Sequence, residues 1–299
     1  MASISVVINV VKEEVKFLPA VLASIANFAS EIILVDMSGE DKVDEIATKY
    51  NAKVFAHKFV NYVEPARNFG IEKATGEWIL ILDPDEELTA KLATELESIV
   101  AGDKAEYVRL PRQNMVFGKW LEHSRWWPDY NIRFFKKDHV NWSNEIHSVP
   151  ITTGRALDVD VKEDLAIVHH HYSSLDQYIG RMTRYTQVQA AKKRQDGYEF
   201  DWTDLIKKPT GEFLSRFFAG QGYKDGLHGL AIALLQTVSE LVLYLKVWEL
   251  SKFDQKSLNV KNVIGEMKAV GKDINYWQAD ALVNSGGGIL QRLKRKFKV

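Results

Sequence analysis

The chain of 299 residues carries 39 lysines and arginines against 40 aspartates and glutamates, so it offers no broad basic field for nucleic acid. It has no cysteine, which excludes disulfides and thiolate metal sites and fits a reducing compartment. Its length suits one sizeable α/β domain with a smaller addition. The apolar start at 4–11 lacks a basic leader and is interrupted by Lys12, Glu13 and Glu14. This pattern predicts a buried strand rather than a secretion signal, and we expect a cytoplasmic protein.

The first hundred residues alternate between short apolar runs and segments with helical spacing. The apolar runs lie at 4–11, 32–35, 53–56 and 78–82. Continuous apolar strands that alternate with helices indicate a mostly parallel sheet covered on both faces. In such sheets, ligands bind beyond the carboxyl ends of the strands.

The pattern changes after the first hundred residues, first to irregular strands with aromatic loops and then to helices. Ser174 followed by Gln177 has the spacing of a capping box and begins a long amphipathic helix. Residues 225–250 are largely apolar and helical in pattern, and NSGGG at 284–288 is a flexible break. The predicted segments are an α/β domain at 1–172, a helical extension at 173–283, and a linker with an amphipathic tail at 284–299.

Two of the predicted strands end in carboxylates. Asp83 and Asp85 follow the run WILIL, where both can converge on one Mg²⁺ or Mn²⁺ ion, cations that prefer oxygen ligands and bind substrate phosphates. The alternative is a solvated acidic turn that interacts with the dipole of the next helix. Asp36, at an earlier strand end, can accept hydrogen bonds from a base or a ribose, or it can belong to an ordinary strand-to-helix turn.

Arg67 lies on the predicted helix before the acidic strand end. It can reach a phosphate or the acidic loop, and a solvated helix face is the alternative. The order and spacing of Asp36, Arg67 and the Asp83-x-Asp85 pair favour a ligand site over three unrelated surface features.

These segments together resemble glycosyltransferase family 2, in the branch similar to lipopolysaccharide-core β-glucosyltransferases. The matching segments are SVVINVVKEE, ILVDMSGED, ARNFGIEKATGEWILILDPDEEL and WWPDYNIRFFKK, with further likeness in IVHHHYSSLDQYIGRMTRY and GYKDGLHGLAIA. The likeness covers roughly residues 3–250, and the block around the DxD pair is its most specific part.

The resemblance implies an α/β GT-A fold with a C-terminal helical extension. It further implies inverting transfer of a sugar from a nucleotide-diphospho-sugar, a UDP-sugar, to a glycan or lipid-linked acceptor in cell-envelope polysaccharide synthesis. Residues 1–172 would then be the domain that binds donor and acceptor. By position, Asp83 and Asp85 would hold the divalent cation and the diphosphate. The donor-binding residues would be Asn9, Glu13, Asp36, Arg67 and Asp83.

The catalytic base has two candidates. An inverting transfer needs a carboxylate that takes the proton of the acceptor hydroxyl. Asp129 in the WWPD loop and Glu145 in NEIHS can each do this, and we favour Asp129. Relatives in this branch often carry a His-Glu pair where this chain has His147 followed by Ser148, which leaves Glu145 as a substitute from nearby.

Histidines provide candidate metal ligands beyond the DxD pair. His169 begins the tract HHH, and alternation along a strand would place it on the same side as His171 and opposite His170. His147 is an equal contender. A structural role is the alternative for each of these histidines.

Aromatic residues cluster in the presumed acceptor region. Sugar rings have apolar faces that stack on aromatic side chains, and Trp126 and Trp127 are the candidates for acceptor contact. Aromatic residues are also common in cores, and burial is the alternative.

The last third of the chain raises the question of a membrane. Residues 227–248 are long enough to span a bilayer, but charges such as Glu240 and Lys246 cost about 2.5–3.5 kcal/mol each at the centre of a membrane. A packed or interfacial helix is therefore favoured. The basic, amphipathic tail predicts peripheral contact with the anionic inner face of the cell membrane, and a solvated tail is the alternative.

Two other classes of protein share this architecture. Sugar-phosphate nucleotidyltransferases usually carry a glycine-rich, basic loop after the first strand, whereas this chain has VINVVKEE there. A non-catalytic, membrane-associated module that retains the nucleotide-sugar pocket is the second alternative, and the intact DxD pair argues against it.

Overall fold

The computed structural model describes residues 2–59, 64–142, 150–255 and 257–297. The chain divides into two compact units. Unit 1 comprises Met1–Met115 and Trp127–His171, and unit 2 comprises Val116–Trp126 and Tyr172–Val299. The short segment Val116–Trp126 groups with the C-terminal part of the chain, a long-range association that the sequence-based division at residue 172 does not include. Residues 284–299 group with the same unit.

The first part of the chain alternates strands and helices as the apolar pattern predicts. In chain order the elements are β1 (Ile4–Val10), α1 (Leu18–Ile25), β2 (Glu31–Asp36), α2 (Lys42–Lys49), β3 (Lys53–Ala56), α3 (Glu64–Lys73), β4 (Trp78–Leu82), β5 (Glu86–Glu87) and α4 (Ala90–Ala101). Strands then dominate with β6 (Tyr107–Leu110), β7 (Arg112–Val116), β8 (Lys119–Trp120), β9 (Asn131–Lys136), β10 (Val140–Asn141), β11 (Ile151–Thr152), β12 (Ala156–Asp158) and β13 (Ile167–Tyr172).

The main sheet has the strand order β12-β6-β9-β4-β1-β2-β3. Strands β4, β1, β2 and β3 are parallel neighbours, and β9 runs antiparallel between β4 and β6. A smaller sheet contains β5, β13 and β7 in that order. In it, His169 of β13 lies opposite Glu86 of β5 in an antiparallel pair. The sheet is thus mixed but mostly parallel in its N-terminal part.

The core of unit 1 lies on both faces of the main sheet, because β1 and β4 are buried along their whole length. Helices α1, α2 and α4 contribute to the core on one face, and α3 contributes on the other. The close approach of α3 to strands β1 and β2 depends on Gly70. A Cβ atom added there would lie 2.4 Å from Cγ1 of Val7 and 2.9 Å from Cγ2 of Val35. Both valines are rigid neighbours, so only glycine fits at this crossing.

Unit 2 is mainly helical. Its helices are α5 (Leu175–Gln195), α6 (Asp204–Phe213), α7 (Gly226–Leu250), α8 (Val260–Asn284) and α9 (Ile289–Phe297), and a π-helical turn at Leu214–Ala219 follows α6. The predicted cap of α5 is confirmed, since Oγ of Ser174 accepts a hydrogen bond from N of Gln177 at 3.2 Å. The core of unit 2 consists of two clusters. One contains Val116, Leu121, Trp126, Tyr172, Tyr178 and Ile232, and the other contains Ala190, Phe200, Leu243, Tyr244 and Val247.

Candidate active site in unit 1

Three predicted site residues lie at the carboxyl ends of neighbouring parallel strands. Asn9 is near the end of β1, Asp36 ends β2, and Asp83 directly follows β4. In the register, Asn9 is opposite Val35, and Ile8 of β1 is opposite Leu82 of β4. Since the ends of adjacent parallel strands meet at one edge of the sheet, the fold brings these three residues to the same edge.

The side chain of Asn9 is buried without a partner. It is 3% exposed, and among the described residues neither Nδ2 nor Oδ1 finds a hydrogen-bond partner. A buried amide left in this state costs about 1–3 kcal/mol for each unsatisfied group. Such a group in a strand at the ligand edge of an α/β sheet is well suited to a bound molecule that offers both a donor and an acceptor.

Asp36 is half-buried and is anchored by its own loop. Its Oδ1 accepts hydrogen bonds from N and Oγ of Ser38, at 2.8 and 2.6 Å. Among the described residues, its Oδ2 accepts no hydrogen bond. The loop therefore orients the carboxylate and leaves one oxygen for a ligand. Glu13, also predicted to line this pocket, is exposed on the short 3₁₀ turn Lys12–Phe17.

Asp83 belongs to a buried network of carboxylates and arginines. Its Oδ1 accepts a hydrogen bond from Nη2 of Arg67 at 3.0 Å, and its Oδ2 accepts one from Nη2 of Arg133 at 2.5 Å. Glu86 is fully buried, and its Oε1 accepts hydrogen bonds from Nη2 of Arg133 at 2.7 Å and Nη1 of Arg112 at 3.1 Å. The other carboxylate oxygen of Glu86 accepts the backbone N–H of Asp83 at 2.9 Å.

The charges in this network fix its protonation. Burial alone would raise the pKa of Asp83, but the guanidinium groups of Arg133 and Arg67 outweigh burial and hold that pKa well below its usual range. Burial alone would lower the pKa of Arg133, yet Asp83 and Glu86 outweigh it and raise that pKa. Asp83 is therefore an anion and Arg133 a cation at any physiological pH.

Arg67 on helix α3 lies beside Asp83, which follows strand β4. Its guanidinium carbon lies 5.8 Å from the ring centroid of Trp142, and its side chain is 14% exposed. The neighbouring Asn68 exchanges hydrogen bonds with the backbone of Trp142, donating from Nδ2 at 2.7 Å and accepting at Oδ1 at 3.2 Å. These contacts attach α3 to Trp142 and place the positive charge of Arg67 beside Asp83.

A second chain of hydrogen bonds connects Asp129 to His169. Oδ2 of Asp129 accepts hydrogen bonds from Nε and Nη2 of Arg112, at 3.0 and 2.6 Å, and from Nδ2 of Asn114 at 2.9 Å. The other end of the Asn114 amide, Oδ1, lies 2.6 Å from Nδ1 of His169. Asn114 is fully buried and connects the two residues directly.

This chain determines the tautomer of His169. An ionised carboxylate only accepts hydrogen bonds, so Asn114 must turn its Nδ2 toward Asp129 and its Oδ1 toward the imidazole. Nδ1 of His169 therefore carries the proton that Oδ1 of Asn114 accepts. Burial and the charge of Arg112 lower the pKa of His169 well below its usual range, so the ring is neutral. Its Nε2 consequently presents a lone pair.

Nε2 of His169 faces Asp85 and His171. It lies 3.7 Å from Oδ1 of Asp85, which is 3% exposed, and 3.3 Å from Nδ1 of His171. The rings of His169 and His171 have centroids 4.6 Å apart, whereas His170 pairs with Glu87 at 2.8 Å, as strand alternation predicts. A buried carboxylate is a suitable ligand for Mn²⁺ or Mg²⁺, and a neutral imidazole beside it suits the transition metal Mn²⁺ better than Mg²⁺.

The donor set fits a cation that shares its coordination with a substrate. Across the described parts of the chain, no three histidine, aspartate or glutamate side chains form a ready-made metal cluster. Cations of this type commonly keep only one or two protein ligands and take the rest from phosphate oxygens and water. Asp85 and His169 suit that arrangement better than an all-protein cage.

The two predicted acceptor tryptophans fall in different units. Trp127 belongs to unit 1 and is partly exposed. Trp126 belongs to unit 2, is 9% exposed and packs with the cluster of Tyr172 and Tyr178. Two further predicted site residues, Glu145 and His147, lie outside the described residues.

Four residues of the site were not identified from the sequence: Glu86, Arg112, Asn114 and Arg133. One signal was present, since an arginine inside the apolar segment NIRFF is buried only if a carboxylate pairs with it. Glu86, which directly follows the DxD pair, and Asp83 are its partners. For Arg112 and Asn114 no local pattern exists, because their partners lie 15 to 55 positions away in the sequence.

Comparisons with known proteins identify the family of this chain. The family model "Glycosyl transferase family 2" matches residues 5–165. An uncharacterized glycosyltransferase of Rickettsia typhi is 27% identical over 288 residues, which cover 92% of this chain and 94% of the relative. Another from Rickettsia conorii is 24% identical over 85% of this chain and 91% of its own length.

Solved structures match this chain at a lower sequence identity than these relatives do. Staphylococcus aureus TarS 1-349 in complex with UDP has a TM-score of 0.44 at 13% identity, covering 86% of this chain and 93% of that structure. A mannosyltransferase from Pyrobaculum calidifontis in complex with GDP-Man and Mn²⁺ has a TM-score of 0.46 at 13% identity, covering 99% and 87%. Because the family model spans more than half of the chain and the sheet has the predicted architecture, this chain belongs to glycosyl transferase family 2 and is a glycosyltransferase with an α/β GT-A fold.

Proposed function

We propose that this glycosyltransferase is a cation-dependent, inverting enzyme. It transfers a sugar from a UDP-sugar to a glycan or lipid-linked acceptor in cell-envelope polysaccharide synthesis, in the branch that resembles lipopolysaccharide-core β-glucosyltransferases. The observation that carries the proposal is the hydrogen-bonded chain from Asp129 through Asn114 to His169, beside Asp85. It connects a carboxylate suited to proton transfer with the ligands for a cation.

The nucleoside of the donor is assigned to the ends of β1 and β2. The unpartnered amide of Asn9 complements the edge of uracil, where an N–H donor adjoins a carbonyl acceptor. The open Oδ2 of Asp36 is suited to a ribose hydroxyl, and Glu13 lies on the turn that follows β1. Guanine presents a similar donor and acceptor edge, so a GDP-sugar is the necessary comparator.

The diphosphate is assigned to the acidic strand end. When bound, the cation neutralises the charge that develops on the diphosphate leaving group. Asp85 and His169 would hold the cation, with Asp83 beside them. Arg67 contributes a partly exposed positive charge on the adjacent helix, and the ion pairs of Asp83 with Arg67 and Arg133 keep the strand end in place.

Asp129 is assigned as the base. Three N–H donors hold its Oδ2 and fix the carboxylate, and Oδ1 is the oxygen assigned to the acceptor hydroxyl. The acceptor oxygen forms a bond to the anomeric carbon as the bond from that carbon to the diphosphate breaks. The bonding electrons leave with the diphosphate, and the hydroxyl proton passes to Asp129. Trp127, two residues earlier, is the proposed acceptor contact, whereas Trp126 is buried in a core cluster of unit 2.

The deciding experiment measures binding and turnover of a nucleotide-sugar panel with Mn²⁺, Mg²⁺ or a chelator. The wild type is compared with an Asp83→Ala/Asp85→Ala variant and with Asp158→Ala, a matched change in a surface ion pair with Arg109. We expect one UDP-sugar to bind in a cation-dependent way that only the first variant abolishes. The anomeric configuration of the product, read by NMR, reports inversion.

Four outcomes would overturn parts of this proposal. Preference for a GDP-sugar removes the uridine assignment, and retention at the anomeric carbon removes the inverting mechanism. If no nucleotide sugar binds with any cation, the site is not a donor site. Glu145→Gln serves as the comparison for the base, and loss of turnover there with normal turnover in Asp129→Asn would transfer that role to Glu145.

A further inference from the structure

An apolar stripe lies exposed along helix α7. It consists of Leu227, Leu234, Val238 and Leu245, whose side chains are 77%, 49%, 46% and 37% exposed. At about 100° per residue, the spacing of 7, 4 and 7 positions brings all four within about 20° of one line along the helix. At about 1.5 Å per residue, the stripe is about 27 Å long. Such a continuous apolar line is unusual on a surface that faces only water.

The opposite side of α7 is built into unit 2. Its residues Ile232, Ala233, Leu243, Tyr244 and Val247 are buried. Nζ of Lys246 donates a hydrogen bond to the backbone oxygen of Thr183 on α5, at 2.6 Å. Burial of Glu240, on the same helix, raises the pKa of its carboxyl. These contacts fix one face of the helix to protein and leave the stripe outward.

By length and composition the helix at Gly222–Leu250 could also cross a membrane, and 28% of its most apolar window is buried. A crossing helix would have to give up the packing of its buried face and take Glu240 and Lys246 into hydrocarbon, at about 2.5–3.5 kcal/mol for each charge near the centre. A core helix of a soluble protein would be mostly buried instead. A helix with one face on protein and the other face free is suited to lie flat in a membrane interface.

The net charge of unit 2 indicates which kind of partner covers the apolar stripe. Unit 2 contains 22 lysines and arginines against 14 aspartates and glutamates, a net charge of +8, whereas unit 1 contains 17 against 26, a net charge of −9. The basic residues include a short run on α9, which also exposes Ile289, Leu290 and Leu293. A second copy of unit 2 would bring another strongly positive surface to the stripe. An anionic lipid surface instead combines negative charge with an apolar interior.

We propose that unit 2 docks this protein on an anionic membrane surface. The stripe of α7 enters the interfacial region lengthwise, and the basic residues of α9 bind the lipid headgroups. The protein is then peripheral to the inner, anionic face of the cell membrane. This proposal does not depend on the donor, the cation or the base assigned above, and it fails or stands separately from them.

The test is co-sedimentation of the full-length protein with vesicles. Vesicles of phosphatidylglycerol and phosphatidylethanolamine are compared with vesicles of phosphatidylcholine alone. We expect binding to the anionic vesicles, release by high salt or alkaline carbonate, and little binding to phosphatidylcholine. Leu234→Glu/Val238→Glu should weaken the partition about tenfold or more, because it places two charges on the inserted face.

Matched variants separate the stripe from general effects. Val161→Glu changes an exposed apolar residue of unit 1 and should leave vesicle binding unchanged. Arg292→Glu/Lys294→Glu on α9 should also weaken binding about tenfold or more. Lys49→Glu/Lys104→Glu makes the same change of net charge in unit 1 and should have a smaller effect. Far-UV circular dichroism and thermal melting confirm that each variant is folded.

Three results would overturn the proposal. Resistance of the vesicle-bound protein to alkaline carbonate would show a spanning helix. Equal binding of the wild type and the stripe variant would show that α7 does not insert. A dimer of the wild type that becomes a monomer in the stripe variant, measured by light scattering in the absence of vesicle binding, would show that the stripe is covered by a second copy.

Discussion

The two units of this protein place charge and apolar surface in opposite ways. Unit 1 has a net charge of −9 and buries ionised groups, with Glu86 fully buried and Arg133 4% exposed. Unit 2 has a net charge of +8, builds its core from aromatic and aliphatic side chains, and leaves an apolar stripe on α7 exposed. Buried charge requires precise partners, both in unit 1 where carboxylates must be oriented and in unit 2 at Asp225, which is 4% exposed. Exposed apolar surface requires a partner outside the chain.

The largest effect should come from the carboxylate assigned as base in unit 1. Asp129→Asn preserves the size of the side chain but removes the group that takes the proton, so kcat should fall about 10³-fold. Donor affinity should stay within a factor of two or so, because Asp129 is not assigned to the donor. The measurement is steady-state kinetics together with calorimetric binding of the donor. Asp160→Asn, in an exposed pair with Lys162, is the control and should retain full activity. A kcat within tenfold of the wild type would remove Asp129 as the base.

The next effect concerns the stability of unit 1. Arg133→Met removes a buried cation that contacts Asp83 and Glu86, leaving two carboxylates short of a partner. We expect unit 1 to lose about 3 kcal/mol of unfolding free energy. Hydrogen exchange of β4 and β9, followed by mass spectrometry, measures the loss locally. Arg155→Met removes a more exposed cation that pairs with Glu106 and should cost much less, because solvent screens such a pair. Equal losses in the two variants would contradict the role of burial.

In unit 2, the buried charge to test is Asp225. Asp225 is 4% exposed, and its carboxylate accepts hydrogen bonds from the backbone N–H groups of Glu122 and His123, at 3.3 and 3.0 Å. Nδ1 of His123 lies 2.9 Å from the same carboxylate. Asp225→Asn should destabilise unit 2 by about 1–3 kcal/mol, because charge-assisted hydrogen bonds are replaced by weaker ones.

The effect of Asp225→Asn is measured by hydrogen exchange in the segment Val116–Trp126, and donor binding is a second measurement. Exchange in this segment should accelerate while donor affinity is unchanged, since the hydrogen bonds described for Asp225 join residues of unit 2. Asp273→Asn on the exposed face of α8 is the control. A large fall in donor affinity would show that Asp225 acts on the site in unit 1.

The smallest effect is a pH dependence in unit 1. Burial alone would raise the pKa of Glu31, but hydrogen bonds from Lys53, Ser5 and Thr75 outweigh it and lower the pKa to about 2. The unfolded chain has a value of about 4.3 for glutamate. Because the pKa of Glu31 is lower in the folded state, its ionised carboxylate stabilises the fold fully above about pH 4.3. This stabilisation is lost as the pH falls toward 2.

Glu31→Gln measures this contribution. The variant should be about 1–2 kcal/mol less stable than the wild type at pH 7, and the difference should shrink below about pH 4. Urea unfolding at a series of pH values measures both quantities. Glu72→Gln, an exposed residue on α3, should show no such difference. A constant gap from pH 7 to pH 3 would mean that Glu31 stabilises the fold by shape rather than by charge.

Much of unit 1 was determined by sequence alone. The apolar runs predict β1 to β4 and the parallel order of their ends, because a strand buried on both faces must be apolar throughout. Asp36 and Asp83 follow from the same pattern, as they are the polar residues that directly end buried strands. The Ser174 cap of α5 follows from its own spacing, since its hydrogen bond joins residues only three positions apart, although the Gln177 side chain accepts from N–H of Ser173 rather than of Ser174.

Other features were decided only by the tertiary structure. The chain of Asp129, Asn114 and His169 joins residues up to 55 positions apart, and no local pattern records such a pairing. The tautomer of His169 depends on that pairing as well. The stripe on α7 illustrates the same limit, because the sequence shows a helix that is apolar on most sides. Only the packing of α7 against the rest of unit 2 determines which of those sides is buried and which is left exposed.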